Sequence, residues 1–176
     1  MFDRVLYCLN SMKYKLVYRD RLETKGIQCI PCGAFIAIEK GCRIILDKVR
    51  LSRNVHLSSS GRGILHIGSG VFFNRNCIVI CRDSISIGDN CIFGPNVVIY
   101  DHNHKFNSSG IDKSNYSTSK IDIASGCWIG AGVTILKGSK IGEGSVIGAG
   151  CIINCEIPPH SLVKMQNQIE ITPLYD

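Results

Sequence analysis

The sequence lacks any apolar run long enough to cross a membrane or to form the core of a secretion signal. Its first apolar segment, VLYCL, covers only residues 5–9. It also lacks a zinc finger and the mixture of aromatic and basic residues that is typical of nucleic-acid binding. Charged residues make up only 19% of the 176 residues and hydrophobic ones 45%, which excludes a disordered chain. We therefore expect a cytoplasmic globular protein that does not bind nucleic acid.

Cysteine is abundant, with ten residues, but it lacks the spacing of a secreted disulfide framework. Cys29 and Cys32 form a single CxxC pair, and a redox or zinc site would need a second pair or thioredoxin-like surroundings. We therefore expect reduced thiols that pack as small apolar side chains.

Positive charge is concentrated near the N-terminus, within a net charge of +6. The basic residues there are Arg4, Lys13, Lys15, Arg19, Arg21 and Lys25. This segment either makes peripheral contact with an acidic membrane surface or forms the solvated face of an amphipathic helix. Because residues 1–25 lack the repeat described next, we expect a short helical cap there.

A six-residue repeat dominates the C-terminal half of the chain. Isoleucine recurs without a break at Ile123, Ile129, Ile135, Ile141, Ile147 and Ile153. Four places after the isoleucines come the small or medium side chains of Cys127, Val133, Ser139, Ser145 and Cys151. Weaker copies upstream are Ile87, Phe93 and Ile99, then Ile67, Phe73 and Val79, then Ile45, Leu51 and Leu57. A period of six fits neither a helix nor simple strand alternation, but it fits a short strand and a corner.

Three such repeats would close one triangular coil, and stacked coils would share a continuous core. We therefore predict an all-β fold, a parallel β-helix over residues 26–163, followed by a tail at 164–176. The largest break in phase, at about residues 100–122, contains His102 and His104. A long loop that interrupts a regular scaffold is usually functional, and imidazole is suited to base catalysis near neutral pH.

These features together resemble the hexapeptide-repeat acyltransferases of the galactoside and maltose O-acetyltransferase type. The motifs that carry the resemblance are FGPNVVIYDHNH and CWIGAGVTILKGSKIGEGSVIGAGCIINCEIPP, within residues 60–160. Bacterial O-antigen and capsular polysaccharide O-acetyltransferases look nearest. The resemblance implies a left-handed β-helix, a homotrimer with active sites between subunits, and acetyl-CoA as donor. It implies direct transfer of the acetyl group to a sugar hydroxyl, without a metal.

The resemblance also suggests roles for individual residues. His104 matches the catalytic base, and His102 is the second candidate. Asn74 matches an asparagine that contacts the acceptor, although it could equally be a turn residue. Asp83 either faces the acceptor or is solvated at a corner. The residues implied for the coenzyme A groove are Trp128, Gly130, Ala131, Gly148, Ala149 and Asn154, and Lys164 is a further candidate for coenzyme A binding.

One segment departs from the family pattern. After EIPPHSLV the family usually continues with G-x-P-A-[KR], whereas this chain has KMQNQIEITPLYD. Lys164 could contact a phosphate, but its position differs from that of the family's basic residue. The missing glycine and proline favour one alternative, a non-catalytic scaffold. The same fold could also serve an amino-sugar N-acetyltransferase, because a neutral amine is more nucleophilic and the same base would serve. A third, a zinc enzyme of the gamma-carbonic-anhydrase kind, would need a third histidine beside His102 and His104.

Overall fold

The computed structural model describes residues 2–108 and 110–165, with side chains from residue 9 onward. Residues 166–176, most of the predicted tail, lie outside the described part. The chain begins with helix α1 (Phe2–Tyr18) and a short 3-10 helix (Arg19–Arg21). Within the described residues, neither helix has the length and apolar character that a membrane crossing requires.

The strands are, in chain order, β1 Leu22–Lys25, β2 Phe35–Ile38, β3 Arg43–Asp47, β4 Arg50–Leu51, β5 His56–Ser59, β6 Ile64–Ile67, β7 Phe72–Phe73, β8 Ile78–Cys81, β9 Ser84–Ile87, β10 Ile92–Phe93, β11 Val98–Tyr100, β12 His102–Asn107, β13 Gly110–Thr118, β14 Ile121–Ile123, β15 Trp128–Ile129, β16 Thr134–Leu136, β17 Lys140–Ile141, β18 Val146–Ile147, β19 Ile152–Ile153, β20 Glu156–Ile157 and β21 Leu162–Val163.

Three parallel sheets wind around one core. Sheet A has the order β1-β3-β6-β9-β14-β17-β20, sheet B β4-β7-β10-β15-β18-β21, and sheet C β2-β5-β8-β11-β16-β19. The chain visits A, B and C in turn over about six coils, which confirms the left-handed β-helix predicted from the repeat. Strands β12 and β13 form a separate antiparallel hairpin.

The buried residues follow the predicted period. All six isoleucines from Ile123 to Ile153 are buried, as are the five small side chains between them. Each fully buried isoleucine stabilises the fold by about 1.5–3 kcal/mol. Phe73 and Phe93 stack in neighbouring coils with ring centres 4.3 Å apart. The prediction that cysteine occupies the small interior position is confirmed, because Cys77, Cys91, Cys127 and Cys151 are all buried.

The prediction for Ile45 is wrong. Its neighbours Ile44 and Leu46 point into the core and Ile45 is half-buried. Leu46 pairs in register with Ile67, and Leu51 pairs with Phe73, so the second coil, formed by β3, β4 and β5, is one residue shorter between sheets A and B than the coils after it. Because strand side chains alternate between faces, this shift by one residue turns Ile45 outward.

Helix α1 covers the open end of the coil, as the missing repeat predicts. Asn10, Tyr14 and Tyr18 lie four residues apart and so share one helical face. Asn10 Nδ2 donates to the carbonyl of Pro31 at 2.9 Å, Tyr14 Oη to Ala34 at 2.9 Å, and Tyr18 Oη to Ile36 at 3.0 Å. These hydrogen bonds therefore satisfy backbone carbonyl groups at the end of the coil, where no further coil is stacked to supply donors.

Candidate active site

The long interruption in the repeat forms a β-hairpin, here called the arm, whose described residues are 102–108 and 110–118. It leaves the coil where sheet C passes into sheet A, a place called the arm corner (60–63, 82–83, 101–120, 137–139 and 154–155). The backbone N–H of Ser119 donates to the carbonyl of Asp101 at 2.9 Å and closes the base of the arm. Across the hairpin His102 lies opposite Thr118, and His104 lies opposite Tyr116.

Asp101 is a fully buried carboxylate at the base of the arm. It accepts hydrogen bonds from the backbone N–H groups of Arg82 at 2.9 Å, Asp83 at 2.7 Å and Ser84 at 3.0 Å. His102 Nδ1 lies 3.1 Å from Asp101 Oδ1. A buried charge is tolerated only when it is paired and hydrogen-bonded, and all of these contacts meet that need. Asp101 therefore ties the arm to the preceding coil.

The two histidines are held differently. The His102 side chain is only 14% exposed and points toward Asp101. His104 is exposed, and its Nδ1 lies 3.3 Å from the backbone carbonyl of Asp112. An acceptor beside Nδ1 favours the tautomer that carries the proton there, which leaves the lone pair on Nε2. Both rings contact Tyr116, with ring centres 5.4 Å away for His102 and 4.5 Å for His104.

A second group of predicted site residues lies where sheet B passes into sheet C, here called the glycine corner (52–55, 74–77, 94–97, 130–133 and 148–151). Hydrogen bonds between coils align Asn74, Gly94, Gly130 and Gly148 in one column, which continues to Lys164. Ala131 and Ala149 follow the last two glycines. Small residues therefore line this column from Gly94 to Ala149, where we expect the coenzyme A groove.

The glycines of this column also have a purely structural reason. A Cβ on Gly130 would lie 2.6 Å from the backbone nitrogen of Ala149, and one on Gly94 would lie 2.7 Å from that of Ala131. These distances are too short for real atoms, so stacking of the coils alone requires glycine there. Asn74 Oδ1 accepts the N–H of Arg75 at 2.8 Å, a local turn contact.

Trp128 lies on the outer face of sheet B, next to the glycine corner, and its side chain is 56% exposed. It pairs in register with Ile92 and Val146 and so belongs to an apolar column. The remaining predicted residues, Asp83 and Asn154, lie at the arm corner. The resemblance implies that Asn154 lies at the coenzyme A groove, but strand β19 of sheet C separates it from Gly148 and Ala149.

Cys81 contacts the same carboxylate as His102, since its Sγ lies 3.5 Å from Asp101 Oδ2. Burial, together with the negative charge of Asp101, raises the pKa of the Cys81 thiol. It therefore remains protonated near neutral pH and is a poor nucleophile. The described residues contain no group of three or more histidine, cysteine or acidic side chains arranged to hold a metal ion.

Sequence reasoning missed Arg82 at this site. Its guanidinium carbon lies 3.6 Å from the centre of the Tyr116 ring. The available signal was the two-residue insertion between Val79 and Ile87, which contains Arg82 and marks an irregular corner.

Residues 120–155 match the family model described as bacterial transferase hexapeptide (six repeats). The galactoside O-acetyltransferase of Lactococcus lactis subsp. lactis is 35% identical over 94 residues, which cover 53% of this chain and 45% of that enzyme. The chain spans about half the length of the curated relatives that it matches.

Two solved structures share the coil. A maltose O-acetyltransferase from Clostridium difficile 630 matches with a TM-score of 0.53 and 25% identity, covering 92% of this chain and 80% of that one. A point mutant of AntD, an N-acyltransferase from Bacillus cereus, in complex with dTDP-4-amino-4,6-dideoxyglucose and coenzyme A, matches with a TM-score of 0.67 and 18% identity. This second match covers 86% of this chain and 82% of that one, and it supports a shared fold.

Proposed function

Because the chain is a hexapeptide-repeat protein with a left-handed parallel β-helix, we propose that it is an acetyl-CoA-dependent O-acetyltransferase. The acceptor is a sugar hydroxyl of a surface polysaccharide or its precursor. The observation that carries the proposal is the exposed imidazole of His104, presented on an ordered arm with Nδ1 beside the Asp112 carbonyl.

In this mechanism Nε2 of His104 accepts the proton of the acceptor hydroxyl as its oxygen attacks the thioester carbonyl. The resulting imidazolium then returns that proton to the departing sulfur, so no net proton is gained or lost. A backbone N–H of the coil would stabilise the negative charge that develops on the carbonyl oxygen. No covalent acyl-enzyme is needed, in agreement with the buried, protonated Cys81.

The glycine corner fits a donor with a long flexible arm. Its column of Gly130, Ala131, Gly148 and Ala149 leaves backbone groups accessible, and Trp128 provides an apolar wall beside it. Lys164 lies at the end of the column, where its charge would suit a phosphate of coenzyme A. Because the chain lacks the G-x-P-A-[KR] segment, we expect it to bind the phosphate end of coenzyme A more weakly.

The base and the groove lie at different corners of the same coil, which supports active sites shared between subunits. The arm leaves between sheets C and A, and the glycine corner lies between sheets B and C. In the proposed homotrimer the arm of one copy would reach the glycine corner of another. The apolar outer column around Trp128 supplies surface that such an assembly could cover.

A second candidate is an amino-sugar N-acetyltransferase, which the likeness to AntD favours. A neutral amine is a better nucleophile than a hydroxyl, and the same His104 could accept its proton after attack. The third candidate is a non-catalytic scaffold, favoured by the unusual sequence after Val163.

The test is incubation with acetyl-CoA and a panel of neutral, acidic and amino sugars, followed by mass spectrometry of the acetylated products. A thiol-reactive dye would mislead because ten cysteines could react with it. His104→Ala should lower the rate by about 10²–10⁴-fold. His66→Ala, a change at an exposed histidine on sheet A, is the matched control and should keep the rate.

The outcomes separate the candidates. A product that vanishes with His104→Ala but persists with His102→Ala would support His104 as the base, and the reverse would transfer that role to His102. N-acetylated product alone would favour the second candidate. No product and no binding of acetyl-CoA would overturn the enzyme proposal and leave the scaffold.

A further inference from the structure

Arg82 is held rigidly at the arm corner by two neighbours. Its guanidinium carbon lies 3.6 Å from the centre of the Tyr116 ring, and its Nη1 donates to Ser60 Oγ at 3.3 Å. The first contact fixes the plane of the guanidinium against the arm, and the second fixes its edge against the coil below. A guanidinium has five N–H donors, so most of its hydrogen-bonding capacity is not used by Ser60.

The charge of Arg82 is not neutralised by the acidic residues beside it. Asp83 pairs with Arg62 at 3.1 Å and accepts from Thr118 Oγ1 at 3.4 Å. Asp101 is enclosed by backbone N–H groups and His102, and it contacts only the backbone of Arg82. Among the residues that the structure describes, the Arg82 guanidinium has no carboxylate partner within ion-pair distance.

A second cation lies on the opposite side of the arm. Lys137, in the following coil, donates Nζ to Ser117 Oγ at 2.6 Å and likewise has no carboxylate partner among the described residues. Arg82 comes from the coil before the arm and Lys137 from the coil after it. The base of the arm is therefore flanked by two unpaired positive charges.

This positive region is continuous with the candidate base. Tyr116 contacts Arg82 on the coil and also contacts both histidine rings, and its ring centre is 4.5 Å from that of His104. An acceptor whose hydroxyl reached His104 would thus place its neighbouring substituents near Tyr116 and Arg82. A planar, charged fork in a half-buried position suits a carboxylate or a phosphate.

We propose that Arg82, assisted by Lys137, makes the protein select an acceptor sugar that carries a negative charge close to the acetylated hydroxyl. The recognised chemistry is an oxyanion, either the carboxylate of an acidic sugar or the phosphate of a phosphorylated one. This inference rests on the proposed acetyltransferase function and specifies its substrate class.

The test compares three acceptors that differ at a single carbon: glucose, glucuronic acid and glucose 6-phosphate. With the full chain and saturating acetyl-CoA, kcat/KM should be higher for at least one charged sugar than for glucose. Arg82→Gln should lower kcat/KM for that charged sugar by about tenfold to a hundredfold, and leave glucose within about threefold. Arg82→Lys should retain part of the preference because the charge remains while the planar fork is lost.

Two matched controls change exposed cations outside the site. Arg43→Gln removes a residue paired with Glu23, and Lys140→Gln removes one paired with Glu156, both on sheet A. Neither should alter the ratio between charged and neutral acceptors. Lys137→Gln should reduce the ratio less than Arg82→Gln does, and higher salt should reduce it for the wild type.

Binding of the same three sugars, measured by saturation-transfer NMR without acetyl-CoA, separates failure of this inference from failure of the proposed function. Arg82-dependent binding of a charged sugar without any acetylation would support the inference and overturn the enzyme. Equal use of all three sugars, or an Arg82→Gln variant that loses charged and neutral activity alike, would overturn the inference. In the latter case Arg82 would act only as a brace for Tyr116. Failure of every sugar to bind or react would overturn both.

Discussion

At the glycine corner every coil repeats its neighbour, whereas at the arm corner the length of the connection changes from coil to coil. The glycine connections 74–77, 94–97, 130–133 and 148–151 all have the same length. The arm connections range from two residues at 82–83 to twenty at 101–120. Equal lengths keep the coils in register. Unequal lengths let polar side chains gather at one place without disturbing the core.

The largest effect should come from removing the arm while keeping its corner. Replacing residues 102–118 by Asn-Gly would leave Asp101-Asn-Gly-Ser119, in which the existing 2.9 Å bond from Ser119 N to Asp101 O closes a four-residue β-turn. We expect the coil to fold and acetyl transfer to fall by about 10³-fold or more. Circular dichroism and the mass-spectrometric assay would measure both.

That experiment can fail in two informative ways. If the shortened chain does not fold, the arm contributes to the core and the two corners are not separable. If it folds and retains activity, the histidines are not the catalytic groups. The control is the His66→Ala variant, which keeps the arm and should retain both the fold and the rate of acetyl transfer.

The next largest effect concerns Asp101, the anchor of the irregular corner. Asp101→Ala would leave the buried N–H groups of Arg82, Asp83 and Ser84 without their acceptor. We expect a loss of about 3–5 kcal/mol in the free energy of unfolding, measured by urea denaturation. Asp122→Ala, at an exposed site on sheet A, should cost less than about 0.5 kcal/mol. Equal losses for both would show that Asp101 does not anchor the arm.

At the glycine corner the expected effects are steric. Gly130→Ala would place a Cβ 2.6 Å from Ala149 N and should cost about 2–4 kcal/mol. Gly132→Ala meets nothing within 4 Å, and its φ of +67° should cost only about 1 kcal/mol. Urea midpoints of the two variants test this directly. A larger loss for Gly132 than for Gly130 would show that backbone strain, rather than close stacking, makes glycine necessary.

The regular part of the molecule could be predicted from the sequence because its physics is periodic. Inward side chains must be apolar and must recur at each turn of the coil. The isoleucines that recur every six residues from Ile123 to Ile153 therefore predict the fold. The same argument failed at Ile45, where a coil is one residue shorter and no neighbouring repeat reveals the change.

The irregular corner was predictable only in part. The break in phase located the arm, and the motif around His102 and His104 suggested its chemistry. The burial of Asp101 and the stacking of Arg82 on Tyr116 depend on contacts between residues 19 and 34 positions apart, which no local pattern encodes. The separation of Asn154 from the glycine corner likewise required the path of the chain through three sheets.

The smallest effect should come from modifying thiols with iodoacetamide at pH 8. Cys155 is exposed at the arm corner, whereas Cys77 is buried at the glycine corner and donates its Sγ–H to the carbonyl of Gly94 at 3.1 Å. Burial raises the pKa of the Cys77 thiol to about 11, so little thiolate exists there at pH 8. Peptide mass spectrometry should find Cys155 modified, Cys77 intact until the protein is denatured, and the unfolding temperature nearly unchanged. Exposed Cys32 is the positive control. Rapid modification of Cys77 in the folded protein would mean that the glycine corner opens, and the contrast between a rigid corner and a functional one would no longer hold.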